Sequence, residues 1–385
     1  MIIAPAHRTE SVKEYYFSKK NREIAQMNAD GRSEPVINLG IGAPDGRPPQ
    51  SAIDTLCRTA PMDGVHKYQS YAGIPELRKA YADWYRRWYH VELDPACEIQ
   101  PLTGSKEGIL LLSLAFLNKG DKVLIPDPGY PTYSSSARLC EAEIVYYDLC
   151  ADKGWEPDFD ALERMDLKGV KMMWTNYPNM PTGAPASRAL YERIVDFGRR
   201  HGILICNDNP YSFILSDEHL SILEVPGAKD CCLELNSLSK AHNMSGWRLG
   251  RVAAQKEIIT EVLKVKSQMD SGIFRPLQLA AVSALAEGEE WFTQLNAEYK
   301  ARRVAACKIM DLLGAKYNPD STGLFVWGRI DGPAEPVSDK ILYGAGVFIT
   351  PGFIFGKNGT NYLRISLCAP VPVLEEAYKR IAAVL

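Results

Sequence analysis

Residues 99–125, IQPLTGSKEGILLLSLAFLNKGDKVLI, contain the pattern that decides the fold. Ile99–Leu102 has the apolar character of a strand end, and Ser105–Asn118 has apolar residues at the spacing of a helix. Gly120 follows that helix as an end signal, and the apolar run Val123–Ile125 predicts a buried strand. A strand, a helix and a strand in succession indicate an α/β fold with a mostly parallel sheet flanked by helices.

The same alternation continues along the middle of the chain. Short apolar runs predict further strands at Glu143–Tyr147, Val170–Thr175, Ile203–Asn207 and Cys231–Leu235. The segment Arg188–His201 predicts a helix between two of them. Functional sites of such sheets collect at the carboxyl ends of the strands, so chemistry is expected just after these runs.

From about Lys256 the pattern changes, because long helical stretches dominate as far as about Leu313. Further strands are predicted at Leu324–Arg329, Val347–Thr350 and Tyr362–Ser366, with a last helix from about Val373. We therefore expect a large domain over residues 46–285. A smaller α+β domain is expected from residues 1–45 together with residues 286–385.

Composition excludes several classes of protein. The chain has 385 residues with 44 Lys and Arg against 47 Asp and Glu, a net charge of −3 that argues against a nucleic-acid-binding surface. The longest clean apolar stretch, Ile109–Leu117, is too short to span a membrane, and residues 1–5 lack the pattern of a signal peptide. Nine cysteines without a CxxC pair indicate reduced thiols in the cytoplasm. The six histidines lack metal-site spacing, so no metal is expected.

The strongest chemical motif is SLSKAHNMSGWRLG at residues 237–250. Lys240 follows a predicted strand and two serines, and a lysine in a desolvated, cation-flanked pocket loses its proton and becomes a nucleophile. Arg248 together with serine hydroxyls can clamp a phosphate dianion. An isolated SxSK is more often a solvated loop, but the glycines and the aromatic residue around Arg248 favour the functional interpretation.

Three weaker segments follow other predicted elements. Residues 176–183, NYPNMPTG, predict an unusual backbone with a cis bond before a proline. In Asp208–Tyr211, an aspartate at a strand end can hold a pyridine nitrogen protonated, and the tyrosine can reach the same ring. Thr103–Gly108 places exposed N–H groups at a helix start, where an anion binds favourably. Taken alone, each has a commoner structural meaning: a turn, a packing tyrosine, or a helix cap by Ser105.

Together these segments resemble the fold-type I, pyridoxal-phosphate-dependent aminotransferases of class I/II, the aspartate aminotransferase superfamily. Further matches to family segments occur at Leu39–Asp45, Tyr68–Arg78, Asp127–Tyr133 and Tyr362–Ser366. Each match is weak by itself. Their common order and separations along most of the chain make the resemblance specific.

The resemblance implies a role for each matched residue. Lys240 is implied as the lysine that binds the cofactor covalently and later shuttles a proton. Asp208 is implied as the partner of the pyridinium nitrogen, and Tyr211 as the donor to the ring oxygen. The other implied cofactor contacts are the stacking ring of Tyr130 and a phosphate site made by Ser105, Lys106, Ser237, Ser239 and Arg248. Gly42 and Arg364 are implied to bind the substrate α-carboxylate.

The resemblance also implies a homodimer with shared active sites, because Tyr68 matches a phosphate ligand donated by the neighbouring subunit. One position departs from the family pattern N-N-P-T-G, since Met180 stands where the second Asn is usual. A thioether cannot donate a hydrogen bond. Either Asn179 contacts the ring oxygen instead, or Tyr211 holds it alone.

The implied activity moves an amino group between an L-amino acid and a 2-oxo acid. A pyridoxal-phosphate-dependent β-lyase or another fold-type I activity is the alternative. A non-enzymatic regulator is disfavoured, because only about 35 residues precede the Gly42 motif. The amino donor is not identified by the sequence. Tyr15–Phe17 can cover an apolar substrate side chain or form an ordinary helix face, and the helix face is the commoner meaning of such a pattern. The Lys106 side chain can bind a second substrate carboxylate or face solvent.

Overall fold

The computed structural model describes residues 3–32 and 34–385 of the chain. Its α-helices are α1 (His7–Glu10), α2 (Tyr16–Ala29), α3 (Gln50–Thr59), α4 (Pro75–Tyr89), α5 (Ser105–Phe116), α6 (Pro131–Leu139), α7 (Phe159–Glu163), α8 (Arg188–His201), α9 (Lys256–Lys266), α10 (Arg275–Leu285), α11 (Glu289–Leu312), α12 (Ala334–Ala345) and α13 (Val371–Ala382). Its β-strands are β1 (Ile37–Asn38), β2 (Ile99–Leu102), β3 (Lys122–Asp127), β4 (Glu143–Asp148), β5 (Val170–Thr175), β6 (Leu204–Asp208), β7 (Cys232–Ser237), β8 (Gly250–Ala253), β9 (Lys316–Tyr317), β10 (Phe325–Arg329), β11 (Val347–Phe348), β12 (Thr350–Pro351) and β13 (Tyr362–Ser366). None of the described helices is long and apolar enough to cross a bilayer.

A seven-stranded sheet with the order β2-β8-β7-β6-β5-β3-β4 forms the centre of the molecule. Five neighbouring strands are parallel to one another: β7, β6, β5, β3 and β4. β8 runs antiparallel to both β7 and β2. Val123, Met173 and Leu233 on these strands are fully buried, as expected when helices cover both faces of a sheet. The predicted α/β fold with a mostly parallel, helix-flanked sheet is confirmed.

The C-terminal part contains a separate antiparallel sheet in the order β12-β13-β10-β9. β1, near the N-terminus, pairs in parallel with β11, so the N-terminal segment joins this part of the molecule. The backbone N–H of Ser366, at the end of β13, donates to the carbonyl oxygen of Leu39 at 2.8 Å. This contact places the segment that contains Gly42 beside the strand that contains Arg364.

Several predicted elements have the observed bounds, among them β2, β5, β13 and α8. The helix predicted to reach Asn118 ends at Phe116, because Leu117 takes an extended backbone with φ −112° and ψ 131°. The predicted end signal Gly120 lies in the following loop with φ 84°. The single strand predicted over Val347–Thr350 is two short strands, β11 and β12.

Candidate active site

A cavity of about 330 Å³ lies at the carboxyl ends of the central strands. Asn176 follows β5, Asp208 ends β6 and Ser237 ends β7, so the parallel strands bring these residues to one edge of the sheet. All predicted site residues except Tyr68 and Asn179 line this cavity: Gly42, Ser105, Lys106, Tyr130, Asp208, Tyr211, Ser237, Ser239, Lys240, Arg248 and Arg364.

Asp208 is a buried carboxylate with an unused acceptor. Its Oδ2 accepts a hydrogen bond from the hydroxyl of Tyr133 at 3.0 Å, whereas its Oδ1 is buried without a partner in the described part of the chain. Burial raises the pKa of Asp208 to about 7, while the Tyr133 hydrogen bond and the charge of Lys240 oppose that rise. The carboxylate is therefore poised to accept from a positively charged donor. Tyr133 is not among the predicted site residues.

Lys240 lies three residues after the end of β7. Its Nζ donates to the carbonyl oxygen of Gly42. Burial lowers the pKa of Lys240, and the positive charges of Arg364 and Arg248 lower it further. A lysine with a lowered pKa supplies a neutral amine that acts as a nucleophile or a base.

An anion cradle forms where α5 begins. Gly104 precedes α5 with φ 88° and no side chain caps the helix, so its first N–H groups remain available to an anion. A side chain at position 104 would not fit, because a Cβ there would lie 2.1 Å from Nη2 of Arg248. The guanidinium of Arg248 is fixed by hydrogen bonds to the carbonyl oxygens of Ser245 at 2.9 Å and Thr103 at 3.1 Å. Two serine hydroxyls complete the cradle, those of Ser237 and Ser239.

Arg364 on β13 is a buried cation, with 4% of its surface exposed. Its guanidinium donates to the carbonyl oxygen of Gly40 at 2.7 Å and contacts the sulfur of Met180 at 3.4 Å, and neither partner is an anion. It lies 3.9 Å from the ring centroid of Phe325. Burial lowers the pKa of Arg364 to about 10. Such a cation favours a carboxylate ligand. Gly42 lines the same cavity and has no room for a side chain, because a Cβ there would lie 2.4 Å from the Phe325 ring.

Two tyrosines present their rings and hydroxyls to the cavity. Burial raises the pKa of Tyr211 well above its usual value, so its hydroxyl stays a hydrogen-bond donor. Tyr130 begins the turn into α6 and meets Tyr133 edge-on, with ring centroids 5.6 Å apart. Both residues line the cavity in which the resemblance implies an aromatic cofactor.

The side chain of Asn179, one of the two predicted contacts to the ring oxygen, does not line the cavity. The Asn179 amide donates to the carbonyl oxygen of Asn176 at 3.0 Å, and its Oδ1 accepts from the hydroxyl of Thr182 at 2.7 Å. The Asn179 side chain thus stabilises the turn. Neighbouring residues of a tight turn point in different directions, so Asn179 and Met180 do not face the same way. Asn176 and Met180 line the cavity instead. The expected cis bond in this segment is present before Pro178 and again before Pro181.

Tyr68 lies outside the cavity of its own chain, with 89% of its surface exposed. Other large apolar side chains are exposed on two segments, residues 62–71 around Tyr68 and residues 269–274. They are Met62, Tyr71, Met269 and Phe274. The segments lie together, because His66 stacks on Phe274 at 5.7 Å and a Cβ at Gly272 would lie 2.6 Å from the carbonyl oxygen of Gln69. Exposed apolar patches of this kind mark interaction surfaces.

The N-terminal aromatic residues divide between two roles. Tyr15 and Phe17 line the cavity, whereas Tyr16 packs edge-on against Phe353 at 5.6 Å. The favoured interpretation as an ordinary helix face is therefore correct for Tyr16 alone. Lys106 lines the cavity with an exposed side chain, and its Nζ lies 4.9 Å from the ring centroid of Tyr15.

These groups fit pyridoxal phosphate, the cofactor that the resemblance implies. The uncapped start of α5, with Arg248 and the two serines, suits a phosphate dianion. The unpartnered Oδ1 of Asp208 suits a protonated ring nitrogen. The amine of Lys240 suits an aldehyde carbon, because its lowered pKa makes it nucleophilic.

Comparisons with known proteins agree with this geometry. The family model for aminotransferases of class I and II matches residues 34–381. An LL-diaminopimelate aminotransferase of Dehalococcoides mccartyi is 36% identical over 379 residues, covering 97% of each chain. One from Desulforudis audaxviator is 38% identical over 385 residues, covering 99% of this chain and 98% of its own.

Solved structures show the same overall architecture. Substrate-bound BacF from Bacillus subtilis superposes with a TM-score of 0.93 at 33% identity, covering 100% of this chain and 98% of its own. A double mutant of Thermus thermophilus aspartate aminotransferase superposes with a TM-score of 0.92 at 26% identity over 100% of both chains. The chain therefore belongs to the aminotransferases of class I and II, and it is a pyridoxal-phosphate-dependent transaminase that moves an amino group between an amino acid and a 2-oxo acid.

Proposed function

We propose that Lys240, Asp208 and Arg364 carry the transamination. When bound, pyridoxal phosphate supplies an aromatic ring that takes up the electron pair left at the substrate Cα. Asp208 keeps the proton on the ring nitrogen, and Arg364 binds the substrate α-carboxylate. The amine of Lys240 then takes the proton from Cα.

The observation that supports this assignment is the convergence of three charged groups on one cavity, the buried Asp208 and Arg364 and the half-buried Lys240. The pKa of Lys240 is lowered, which favours the neutral base. The competing β-lyase interpretation finds no support in the names of the relatives, which are aminotransferases. The test is a coupled assay for 2-oxo acid formation with wild type, Lys240→Ala and Arg364→Ala. A wild-type enzyme that releases ammonia from its amino acid instead of transferring it would contradict the proposal.

We further propose that the substrate carries a second carboxylate, as LL-diaminopimelate and 2-oxoglutarate do. Four basic residues line the cavity: Lys106, Lys240, Arg248 and Arg364. Lys240 and Arg248 are assigned to the cofactor and one α-carboxylate uses Arg364, which leaves Lys106 for a second carboxylate. The Lys106 amine rests on the ring of Tyr15, a neutral contact that leaves its charge available to an anion. The relatives named LL-diaminopimelate aminotransferase support the same substrate.

A panel of amino donors with 2-oxoglutarate as acceptor tests this substrate. LL-diaminopimelate, aspartate, leucine and phenylalanine separate a second carboxylate from an apolar side chain. We expect the highest kcat/KM for LL-diaminopimelate. A higher kcat/KM for the apolar donors would refute the proposed substrate without affecting the assignment as a transaminase.

We propose a homodimer in which Tyr68 reaches the phosphate site of the partner subunit. The exposed patch around Tyr68 supports it, because Met62 and Phe274 add apolar surface that a second copy would cover. Light scattering measures the assembly. Mixing unfolded Lys240→Ala and Tyr68→Ala chains and refolding them should restore about a quarter of wild-type activity, since half of the dimers would then contain one intact site. No recovery from the mixed dimer would contradict the shared site.

We also propose the division into a large domain over residues 46–285 and a small domain over residues 1–45 and 286–385. The seven-stranded sheet lies within the first range, and β1 pairs with β11 in the second. Residues 1, 2 and 33 of the small domain lie outside the described residues. The nine free cysteines support a reducing compartment, and we propose the cytoplasm.

A further inference from the structure

Two adjacent cysteines lie at the start of β7, far from the residues that the reaction uses. The sulfur atoms of Cys231 and Cys232 are 3.6 Å apart. Neighbouring side chains of a regular strand point to opposite faces. Cys231 precedes the strand with φ −141° and ψ 3°, a bent backbone that brings the two thiols together. Among the nine free cysteines, all of which lie in the described part of the chain, a contact between sulfurs occurs at this pair.

The two thiols differ in access. Cys231 is half-buried, and its sulfur lies 3.8 Å from the carbonyl oxygen of Val195, whereas Cys232 is fully buried. The thiol of Cys232 hydrogen-bonds to Cys231 and lowers its pKa, and the nearby charge of Arg199 acts in the same direction. A thiol with a lowered pKa holds more of the nucleophilic thiolate at neutral pH. Cys231 is therefore the thiol that reacts first with an electrophile, and the buried thiol of Cys232 lies next to it.

We propose that Cys231 and Cys232 form a dithiol site for a thiophilic trivalent arsenical. An atom bound to both sulfurs by bonds of about 2.3 Å, the length of a zinc–thiolate bond, would subtend about 103° between sulfurs 3.6 Å apart. That angle suits a pyramidal or tetrahedral centre. Structural zinc needs four ligands, and the described residues contain no cluster of three or more His, Cys, Asp and Glu side chains. Trivalent arsenic with one organic substituent is satisfied by two sulfurs.

The reaction with phenylarsine oxide is a substitution without oxidation. Each thiol gives up its proton and forms one sulfur–arsenic bond, and the oxygen of the reagent leaves with both protons as water. Arsenic stays trivalent and the sulfurs stay at the thiolate level. One reagent molecule is therefore consumed per chain.

The proposed site is separate from the cofactor site. β7 begins at Cys232 and ends at Ser237, and five steps of a strand span about 16 Å. Cys368 is the buried cysteine that lies close enough to Lys240 to influence its charge. Binding at the dithiol should therefore leave the absorbance of the bound cofactor unchanged, whereas binding at Cys368 should be hindered by substrate.

Intact-mass spectrometry of the cofactor-loaded enzyme tests the proposal, with phenylarsine oxide at one equivalent and an excess of 2-mercaptoethanol as competitor. We expect one adduct per chain that survives the monothiol and is removed by a dithiol. Cys231→Ser and Cys232→Ser should each weaken retention by roughly a hundredfold or more, because the second sulfur no longer acts at a high effective concentration. Cys57→Ser, which changes an exposed cysteine elsewhere, is the matched control and should retain the adduct.

Circular dichroism shows whether each variant folds, and Cys231→Ala gives a second test at the more exposed position. Equal retention by wild type and by Cys231→Ser and Cys231→Ala would overturn the proposal. An adduct that substrate prevents would also overturn it, because that result places the arsenical at Cys368.

Discussion

Replacing Asp208 by Asn should stabilise the cofactor-free protein while it destroys the activity. Burial raises the pKa of Asp208 from its usual 3.8 to about 7. The folded protein therefore binds this proton more tightly than the unfolded chain does, so stability falls as pH rises from about 4 through 7. A shift of about three units corresponds to about 4 kcal/mol at pH values above 7. Asn carries no charge at any of these pH values and removes that cost.

Denaturant unfolding of the cofactor-free protein at pH 4.5, 6 and 8.5 measures the effect. We expect a gain for Asp208→Asn of only about 1 kcal/mol at pH 4.5, which grows toward about 4 kcal/mol at pH 8.5. Asp160→Asn, a matched change at an exposed position of α7, should show no such trend. A variant that is less stable than wild type at pH 8.5, or equally shifted at every pH, would refute the argument.

The same substitution should lower kcat by several orders of magnitude while cofactor still binds. The ring nitrogen loses its anionic partner, so the ring withdraws electrons from Cα less strongly. A loss below tenfold, about 1.4 kcal/mol of barrier, would leave Asp208 with a structural role only.

Three other substitutions separate the remaining roles. Lys240→Ala should abolish turnover and the near-ultraviolet absorbance of covalently bound cofactor with an unchanged circular dichroism spectrum; near wild-type turnover would contradict the assignment. Tyr133→Phe keeps the ring stacked 4.7 Å from Trp174 but removes the donor to Asp208. A hydrogen bond to a charged group contributes about 1.5–3 kcal/mol, so its loss should raise the pKa of Asp208 and move the pH profile of stability about one to two units to higher pH. An unmoved profile would make Tyr133 a packing residue. Lys106→Met should raise KM for 2-oxoglutarate by roughly ten- to a hundredfold and leave KM for pyruvate nearly unchanged, whereas equal changes for both would indicate damage to the phosphate site.

The positions that sequence could predict are those fixed by the backbone pattern. Asp208 and Ser237 end buried parallel strands, so their meeting at one edge follows from the strand pattern alone. Gly104 has a positive φ before a helix, which a glycine at a predicted helix start indicates. Arg364 could be predicted only through the resemblance, because it lies on the other sheet and reaches the cavity through tertiary packing.

Side-chain direction and contacts between distant segments could not be predicted from the sequence. Asn179 and Met180 are neighbours in a tight turn, and the local backbone decides which of them faces the cavity. The contact of Tyr133 with Asp208 joins residues 75 positions apart, and no periodicity encodes it. Tyr15 has the spacing of a helix face but lies at the start of α2, where the chain passes the cavity. β8 is not among the predicted strands, because its four residues begin at the last residue of the motif 237–250 and form only a short apolar run.

The buried charges of the site explain why stability and activity oppose each other here. Burial shifts the pKa of Asp208 up and those of Lys240 and Arg364 down, in each case toward the neutral form. Each group thus carries a desolvation cost in the cofactor-free protein that a well-packed neutral side chain would avoid. In the proposed assignment, cofactor and substrate would bring the missing partners: a protonated nitrogen for Asp208, an electrophilic carbon for Lys240 and a carboxylate for Arg364. Because the aromatic surroundings of Arg364 keep the local dielectric low, the contact with that carboxylate is stronger than it would be in water. The buried charges that destabilise the cofactor-free protein are therefore the same charges that orient the ligands. Substitutions that remove their desolvation cost should stabilise the protein and lower its activity.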